Sequence, residues 1–329
     1  QSHCLIVNTF QIDDSSGDRL DVYLAKKLRP ISRSKIKNFI NELFILVNNN
    51  KSKPGYVLQK GDIVIINIDN ELPNDYSIIP EKMEIDVLYE DAHIAAVNKP
   101  SGLVVHLGVN NEKGTLVNGL VYHFDRLSDI NGEFRKGIVH RLDADTSGIM
   151  LIAKTNDAHL WLSKQFKDKT IKKTYVSITW GKWKQNTGII KGWVSRKKSD
   201  PTTYTFGNTE IGKYSETKYS VDTQYINFAK VLFYPVTGRT HQIRVHTSSN
   251  GNPIFGDEKY GGGVKKSKEY KPELIKYFSS ELAKFGRHAL HAFSIEFELF
   301  NARGKRIKLE APLPKEFVDL EDSLLAYES

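Results

Sequence analysis

The stretch His140-Arg141-Leu142-Asp143-Ala144-Asp145-Thr146-Ser147-Gly148 decides how this chain is read. It sets a carboxylate, Asp143, between basic residues and a Thr-Ser-Gly turn. Directly after it comes Ile149-Met150-Leu151-Ile152-Ala153, an apolar run with the length of a buried strand. Gly137-Ile138-Val139 precedes it and reads as a second short strand. Asp143 is therefore expected on a loop held by two strands, where reactive groups are often presented. An acid beside cations is biased toward its charged form. Such a carboxylate can act as a base, a metal ligand or a nucleophile.

Working outward, the 329 residues suffice for two or three domains, one of them with a sizeable core. Forty-seven Lys/Arg against 39 Asp/Glu give a net charge of +8, compatible with a polyanionic partner. The single cysteine, Cys4, excludes an internal disulfide and a Cys-rich zinc site, and fits a reducing, cytoplasmic setting. No apolar stretch approaches the roughly 20 residues a membrane span needs. Residues 1–10 lack the charged and apolar regions of a signal peptide.

Residues 17–67 read as a compact module after an N-terminal extension, 1–16. Leu20, Leu24 and Leu28 recur at helical spacing, as do Ile36, Phe39, Ile40 and Leu43. Pro30 separates the two helices, and Ser32 or Ser34 can cap the second. Phe44-Ile45-Leu46-Val47 and Ile63-Val64-Ile65-Ile66 read as strands, with a turn at Asn48-Asn49-Asn50. This module holds ten Lys/Arg and four Asp/Glu, so +6 of the chain's +8 is concentrated here. Helix-surface lysines are commonly a solvated face; their concentration in one small module points instead to nucleic acid. The module resembles the S4 RNA-binding domain in Arg19-Leu20-Asp21-Val22-Tyr23-Leu24, Ser32-Arg33-Ser34, Val47-Asn48 and Lys60-Gly61-Asp62. Arg33, Lys35 and Lys37 are its expected RNA contacts.

Residues 68–82, with Pro73, Asn74, Asp75, Ser77 and Pro80, read as a linker. Residues 83–325 read as one larger domain. Strand-like runs dominate it: residues 94–97, 149–153, 175–180, 229–233 and 293–299, the last alternating with Phe293, Ile295, Phe297 and Leu299 on one face. A helix capped by Thr155 or Asn156 fits Ala158, Trp161, Leu162 and Phe166, with Trp161 and Phe166 read as core. The expected class is α+β, with a large mixed, mainly antiparallel sheet.

Three further segments accompany the Asp143 stretch. They are Asn98-Lys99-Pro100-Ser101-Gly102-Leu103-Val104-Val105-His106, Lys172-Lys173-Thr174-Tyr175-Val176, and Gly238-Arg239-Thr240-His241-Gln242-Ile243-Arg244-Val245-His246. With Asp143 they resemble the RluA/RluD-type RNA pseudouridine synthases over residues 80–312. Asn252-Pro253-Ile254-Phe255-Gly256-Asp257 and Leu290-His291-Ala292 match weaker landmarks of that family. An S4 module ahead of this domain is the layout of the subgroup acting on large-subunit ribosomal RNA.

The resemblance implies isomerisation of uridine, with no cofactor and no metal. It implies that Asp143 is the catalytic carboxylate, attacking either ribose carbon 1′ or the base. Arg244 is implied as its ion-pair partner. Tyr175 is implied to stack near the target base, and is a candidate for proton transfer at carbon 5. The uridine must leave its helix or loop to be reached. Arg141 is a plausible wedge or phosphate contact during that extrusion, and Arg239 and the run Arg196-Lys197-Lys198 are expected RNA contacts. Ribosomal RNA is the expected substrate, with transfer RNA or a non-catalytic RNA-binding assembly factor as alternatives. No membrane partner is expected, and the protein is read as a monomer.

Smaller features read as structural. Asp145 is expected to close a turn with Ser147. His140, His241 and His246 read as hydrogen-bonded framework, and Lys99-Pro100-Ser101-Gly102 as a rigid turn. Ala144, Leu107 and Asn252 depart from residues common in relatives. The basic segment 264–284 reads as a surface insertion.

Overall fold

The computed structural model describes residues 7–13, 17–28, 33–67, 78–107, 113–131, 135–197 and 199–328. Contacts divide the chain into two units, Gln1–Ser77 and Ile78–Ser329.

In the first unit, β1 (Val7–Gln11), β2 (Ile45–Val47) and β3 (Ile63–Asn67) form an antiparallel sheet in the order β1-β3-β2. Two helices, α1 (Leu20–Lys27) and α2 (Arg33–Asn41), cover it. Leu20 and Leu24 pack with Ile36, Phe39 and Ile40 because each set repeats every three to four residues and so shares one helix face. The sequence boundary at residue 17 leaves β1 outside the module, whereas it pairs along all of β3. Leu43 does not continue α2. The helix ends at Asn41, and Leu43 turns left-handed (φ 68°) with its side chain exposed. Pro30 and Ser32 lie outside the described residues, as does the Ser34 side chain.

The second unit is built on a ten-stranded sheet. Its strands are β4 (Asp86–Glu90), β5 (Ile94–Lys99), β6 (Ser147–Ala153), β7 (Lys172–Trp180), β8 (Thr187–Arg196), β9 (Tyr204–Gly207), β10 (Lys213–Gln224), β11 (Phe228–Pro235), β12 (Leu290–Glu298) and β13 (Arg306–Glu310). The order is β4-β5-β6-β12-β7-β11-β10-β8-β9, with β13 also paired to β12. All pairings are antiparallel except a short parallel one joining Ser147 and Gly148 to His291 and Ala292. This is the mixed, mainly antiparallel sheet of an α+β fold.

Strands β5 and β6 read as unbroken apolar runs because both their faces are covered. Ala95, Val97, Met150 and Ile152 pack with α3 (Leu116–His123). Ile94, Ala96, Ile149 and Leu151 pack with Ala158 and Leu162 of α4 (Asn156–Lys167). Thr155 caps α4, its hydroxyl accepting from the Ala158 amide at 3.3 Å. A third core surrounds Trp180, and includes Phe228, Phe255, Phe278 and Phe317.

Several sequence expectations need correction. Residues 137–139 form no strand, only an isolated bridge between Ile138 and Ile152. Phe293 does not share a face with Ile295 and Phe297. A bulge between Ala292 and Ser294 turns it into the Trp180 core while they enter the α4 core. Ile78, read as linker, is buried among the residues around α3; Pro73, Asn74, Asp75 and Ser77 lie outside the described residues. The segment 264–284 is not only surface. It forms two helices, Val264–Ser267 and Pro272–Phe285, and Phe278 and Leu282 of the second enter the Trp180 core.

Candidate active site

Asp143 lies on a loop fixed from behind. Lys99, fully buried at the end of β5, donates its Nζ to the carbonyls of Pro100 (2.7 Å), Leu103 (2.9 Å) and Ala144 (2.7 Å). Burial pulls its pKa to about 7, while three carbonyl acceptors favour the ammonium form. Lys99 is thus an internal tie. The Arg287 guanidinium donates to the Asp145 carbonyl (3.2 Å), Thr146 Oγ1 meets His288 Nε2 (2.8 Å), and Ser147 Oγ meets His291 Nδ1 (2.9 Å). Gly148 makes the close approach of β6 to β12 possible. Its φ is +115°, and a Cβ there would lie 2.2 Å from the Ala292 carbonyl oxygen. The expected Asp145–Ser147 turn is replaced by a bond from the Thr146 amide to the Asp143 carbonyl (3.1 Å).

Arg244 comes from α5 (Gln242–Ser249). The preceding turn is organised by Gln242, whose Oε1 accepts from Thr237 Oγ1 (2.6 Å) and the Arg239 amide (3.0 Å). Arg244 Nη1 donates to Asp143 Oδ2 at 3.0 Å. Its Nε and Nη2 form a fork on Asp257 at 2.7 and 2.9 Å. The guanidinium also lies over the Tyr260 ring, 5.0 Å from its centroid. Burial works against the Arg244 charge, but Asp257 and then Asp143 outweigh it and hold its pKa above the ordinary arginine value. Asp257 is 1% exposed; Asp143 keeps 18% and faces the cleft.

His241, in left-handed backbone at the α5 N-cap, places Nε2 3.8 Å from Asp143 Oδ2. Its Nδ1 lies 2.7 Å from the Tyr260 hydroxyl, which accepts from the Tyr204 amide at 2.9 Å. The hydroxyl proton then goes to His241 Nδ1, which leaves the Nε2 proton turned toward Asp143; this tautomer is assigned from the network. Burial keeps the imidazole below its ordinary pKa despite Asp143. His140 and His246 are framework. His140 Nε2 accepts from the Leu151 amide (2.9 Å), and His246 Nε2 pairs with Ser215 (2.9 Å).

Tyr175, on β7, completes the wall, and burial followed by the Asp143 charge pushes its hydroxyl well above the ordinary phenol value. The cleft has a volume of about 560 Å³. Asp143 is the one carboxylate among its lining residues, against six cations: Arg141, Lys167, Lys169, Lys173, Arg239 and Arg244. Phe166 also lines it, with its ring tilted against that of His140 and the centroids 4.7 Å apart, so a reading as core alone is incomplete.

Asp143, Tyr175, Arg244, Arg141 and Arg239 therefore meet at one cleft. Arg141 and Arg239 are exposed at its edge, with Arg239 Nε on the Tyr214 carbonyl (2.9 Å). Arg196 is exposed and contacts the Tyr204 hydroxyl (3.3 Å); Lys197 is exposed, and Lys198 lies outside the described residues. Arg33 and Lys37 belong to the first unit. Arg33 donates to the buried Asp21 at 2.9 Å and Lys37 lies 3.8 Å from it. The Lys35 side chain lies outside the described residues. Sequence reasoning missed Asp257, Lys167, Lys169 and Lys173. Asp257 carried a signal, the Gly256-Asp257 pair in a matched landmark.

With this geometry in view, comparison decides the family. Residues 93–249 match the RNA pseudouridylate synthase family, and residues 18–64 the S4 domain. The ribosomal large subunit pseudouridine synthase D of Blochmanniella floridana is 36% identical over 317 residues, covering 95% of this chain and 96% of that protein. The chain belongs to the RNA pseudouridine synthase family. It is an isomerase of that family with an S4 domain. The ribosomal large subunit pseudouridine synthase C of Haemophilus influenzae is 36% identical, covering 92% of this chain and 89% of that one. The pseudouridine synthase fold recurs in the solved structure of human RNA pseudouridylate synthase domain-containing protein 1. That match has a TM-score of 0.53 and 24% identity, and covers 70% of this chain and 84% of that chain.

Proposed function

We propose that this pseudouridine synthase isomerises uridines in large-subunit ribosomal RNA, with Asp143 as the catalytic carboxylate. The carrying observation is a single carboxylate, Asp143, held on a buried arginine in a cleft otherwise lined by cations. Relatives named as large-subunit enzymes, alike over most of both chains, support the substrate.

In the reaction the N1–C1′ bond breaks, the C5–C1′ bond forms, C5 loses a proton and N1 gains one. Asp143 supplies the nucleophile or stabilising charge, and Arg244 holds its orientation. Tyr175 is a neutral phenol suited to stacking on the detached base. Its raised pKa weighs against it as the acceptor of the C5 proton. Asp143 is the only carboxylate among the described residues lining the cleft and is the acceptor we favour. Residues 83–325 carry this chemistry. Residues 17–67 grip RNA through Arg33, Lys35 and Lys37, while Arg141, Arg196, Lys197 and Arg239 contact the backbone near the cleft. The setting is the cytoplasm, consistent with one cysteine and a ribosomal substrate.

Asp143→Asn is nearly isosteric and removes the charge. Tritium release from 5-tritiated uridine RNA is expected to fall by roughly a thousandfold or more, with RNA binding nearly intact. Turnover by this variant at the wild-type rate would overturn the assignment. Mapping pseudouridine in ribosomal and transfer RNA, with and without the gene, identifies the substrate. A site lost only from transfer RNA would refute the ribosomal reading.

A further inference from the structure

Cations withdrawn from solvent in the second unit mostly have acceptors. Lys99 has three carbonyls, Lys230 has Glu321, Arg244 has two carboxylates and Arg287 has Glu316. Lys173 is different. It lies half-buried on β7, two residues before Tyr175, so both side chains face the cleft. Its Nζ makes no hydrogen bond or ion pair among the described residues. It reaches toward the opposite wall, 3.9 Å from where a Cβ on Gly238 would stand. Burial lowers its pKa to about 8. A desolvated ammonium without an anion is unfavourable until a ligand supplies one.

The turn leading into β7 adds two more cations. Lys167 ends α4, and Lys169 follows in left-handed backbone (φ 58°), a position that favours glycine. Both are exposed and both line the same cleft. Strain accepted at a non-glycine residue beside a site is a reason to ask what that side chain does there. No acid among the lining residues stands with these three lysines apart from Asp143, which Arg244 already engages.

We propose that Lys173, with Lys167 and Lys169 outside it, forms a docking track for the phosphodiester backbone beside the target nucleotide. This deepens, and rests on, the reading of the cleft as the site of RNA modification. Lys173 meets the phosphate nearest the extruded uridine, and the other two take the strand as it leaves the cleft. A phosphodiester fits better than a base edge, because a point charge with rotatable donors binds an anion without sequence readout.

The test is filter binding of an unmodified in vitro transcript of large-subunit ribosomal RNA, over a range of potassium chloride concentrations. The proteins compared are the full-length wild type, K173M, K173R and the double variant K167M/K169M. Affinity of K173M is expected to fall about tenfold. Its slope of log affinity against log salt should be shallower by roughly 0.7–0.9, one phosphate contact. K173R should keep the wild-type slope. The double variant, altered only at exposed positions, should also flatten it, so the proposal can be tested even if K173M folds poorly. Wild-type slopes in both K173M and the double variant would overturn the track. So would a K173R slope as flat as that of K173M, which would make shape rather than charge the cause. Turnover is assayed separately. Its absence in every protein would defeat the isomerase reading of the cleft, while the slopes would still decide the track.

Discussion

Two buried ion clusters in this molecule are built in opposite senses. In the first unit a single acid, Asp21, is fully buried and serves Arg19, Arg33 and Lys37, whose side chains are each about half exposed. In the second unit a single cation, Arg244, is buried and serves two acids, one sealed and one open to the cleft. The first arrangement turns surplus positive charge outward, which suits a polyanion. The second turns one oriented carboxylate outward, which suits chemistry on a neutral nucleoside. On the function proposed above, the inverted stoichiometry separates gripping RNA from acting on it.

Breaking the second cluster should have the larger effect. Arg244→Met leaves Asp257 buried without its partner and should cost about 3–5 kcal/mol of stability. A loss of less than about 1 kcal/mol in denaturant melts would show that Asp257 is reached by water. Asp257→Asn keeps the shape and removes the fork's charge. It should lower kcat by roughly 10- to 100-fold, less than Asp143→Asn, because the carboxylate stays while its support loosens. An unchanged kcat would remove Asp257 from the positioning of Arg244.

The first cluster should yield less. Burial alone would raise the Asp21 pKa, but Arg19 and Arg33 outweigh it and hold it below the ordinary value. A carboxyl depressed in the folded state contributes stability above its unfolded pKa and loses it as pH falls through the folded one. Asp21→Asn should therefore cost about 1 kcal/mol at neutral pH, since the cations are half in water. That difference from wild type should shrink as pH falls through the ordinary aspartate range and vanish below the depressed folded-state pKa; a penalty independent of pH would mean packing rather than charge. The smallest change is expected for Arg33→Gln. Its melting temperature should scarcely move, while the salt slope of RNA binding should flatten by roughly 0.7–0.9. An unaltered slope would take Arg33 out of the RNA grip.

What the sequence made legible was contiguous. The Asp143 loop, the Arg244 segment and the capped helix α4 each lie within one short run; periodicity and capping marked the helix, flanking apolar runs the loop, and the family resemblance the roles of Asp143 and Arg244. Asp257 escaped because its partnership with Arg244 spans 13 residues and a tight turn at Gly256. Lys167 and Lys169 escaped because a basic helix end resembles any solvated face until the cleft beside it is seen, and Lys173 because a lysine early in a strand gives no sign of the wall it faces. β8 sets its large apolar residues in adjacent pairs, Ile189-Ile190 and Trp193-Val194, and β10 has few of them, which leaves little period-two signal. The bulge at Phe293 broke an alternation that looked regular, because its cause lies in the neighbouring strand.

The parallel pairing of Ser147 and Gly148 with His291 and Ala292 has a consequence in time. The loop that carries Asp143 is clasped by residues more than a hundred positions later in the chain. Contacts of such separation close late, after much chain entropy has been lost. On the ribosome the carboxylate is made long before its clasp. A nascent chain that has passed Asp257 but not yet reached Leu290 holds every residue of the Asp143–Arg244–Asp257 cluster but not the strand that seats the loop. The Asp143 loop therefore gains its seat only once β12 has been made.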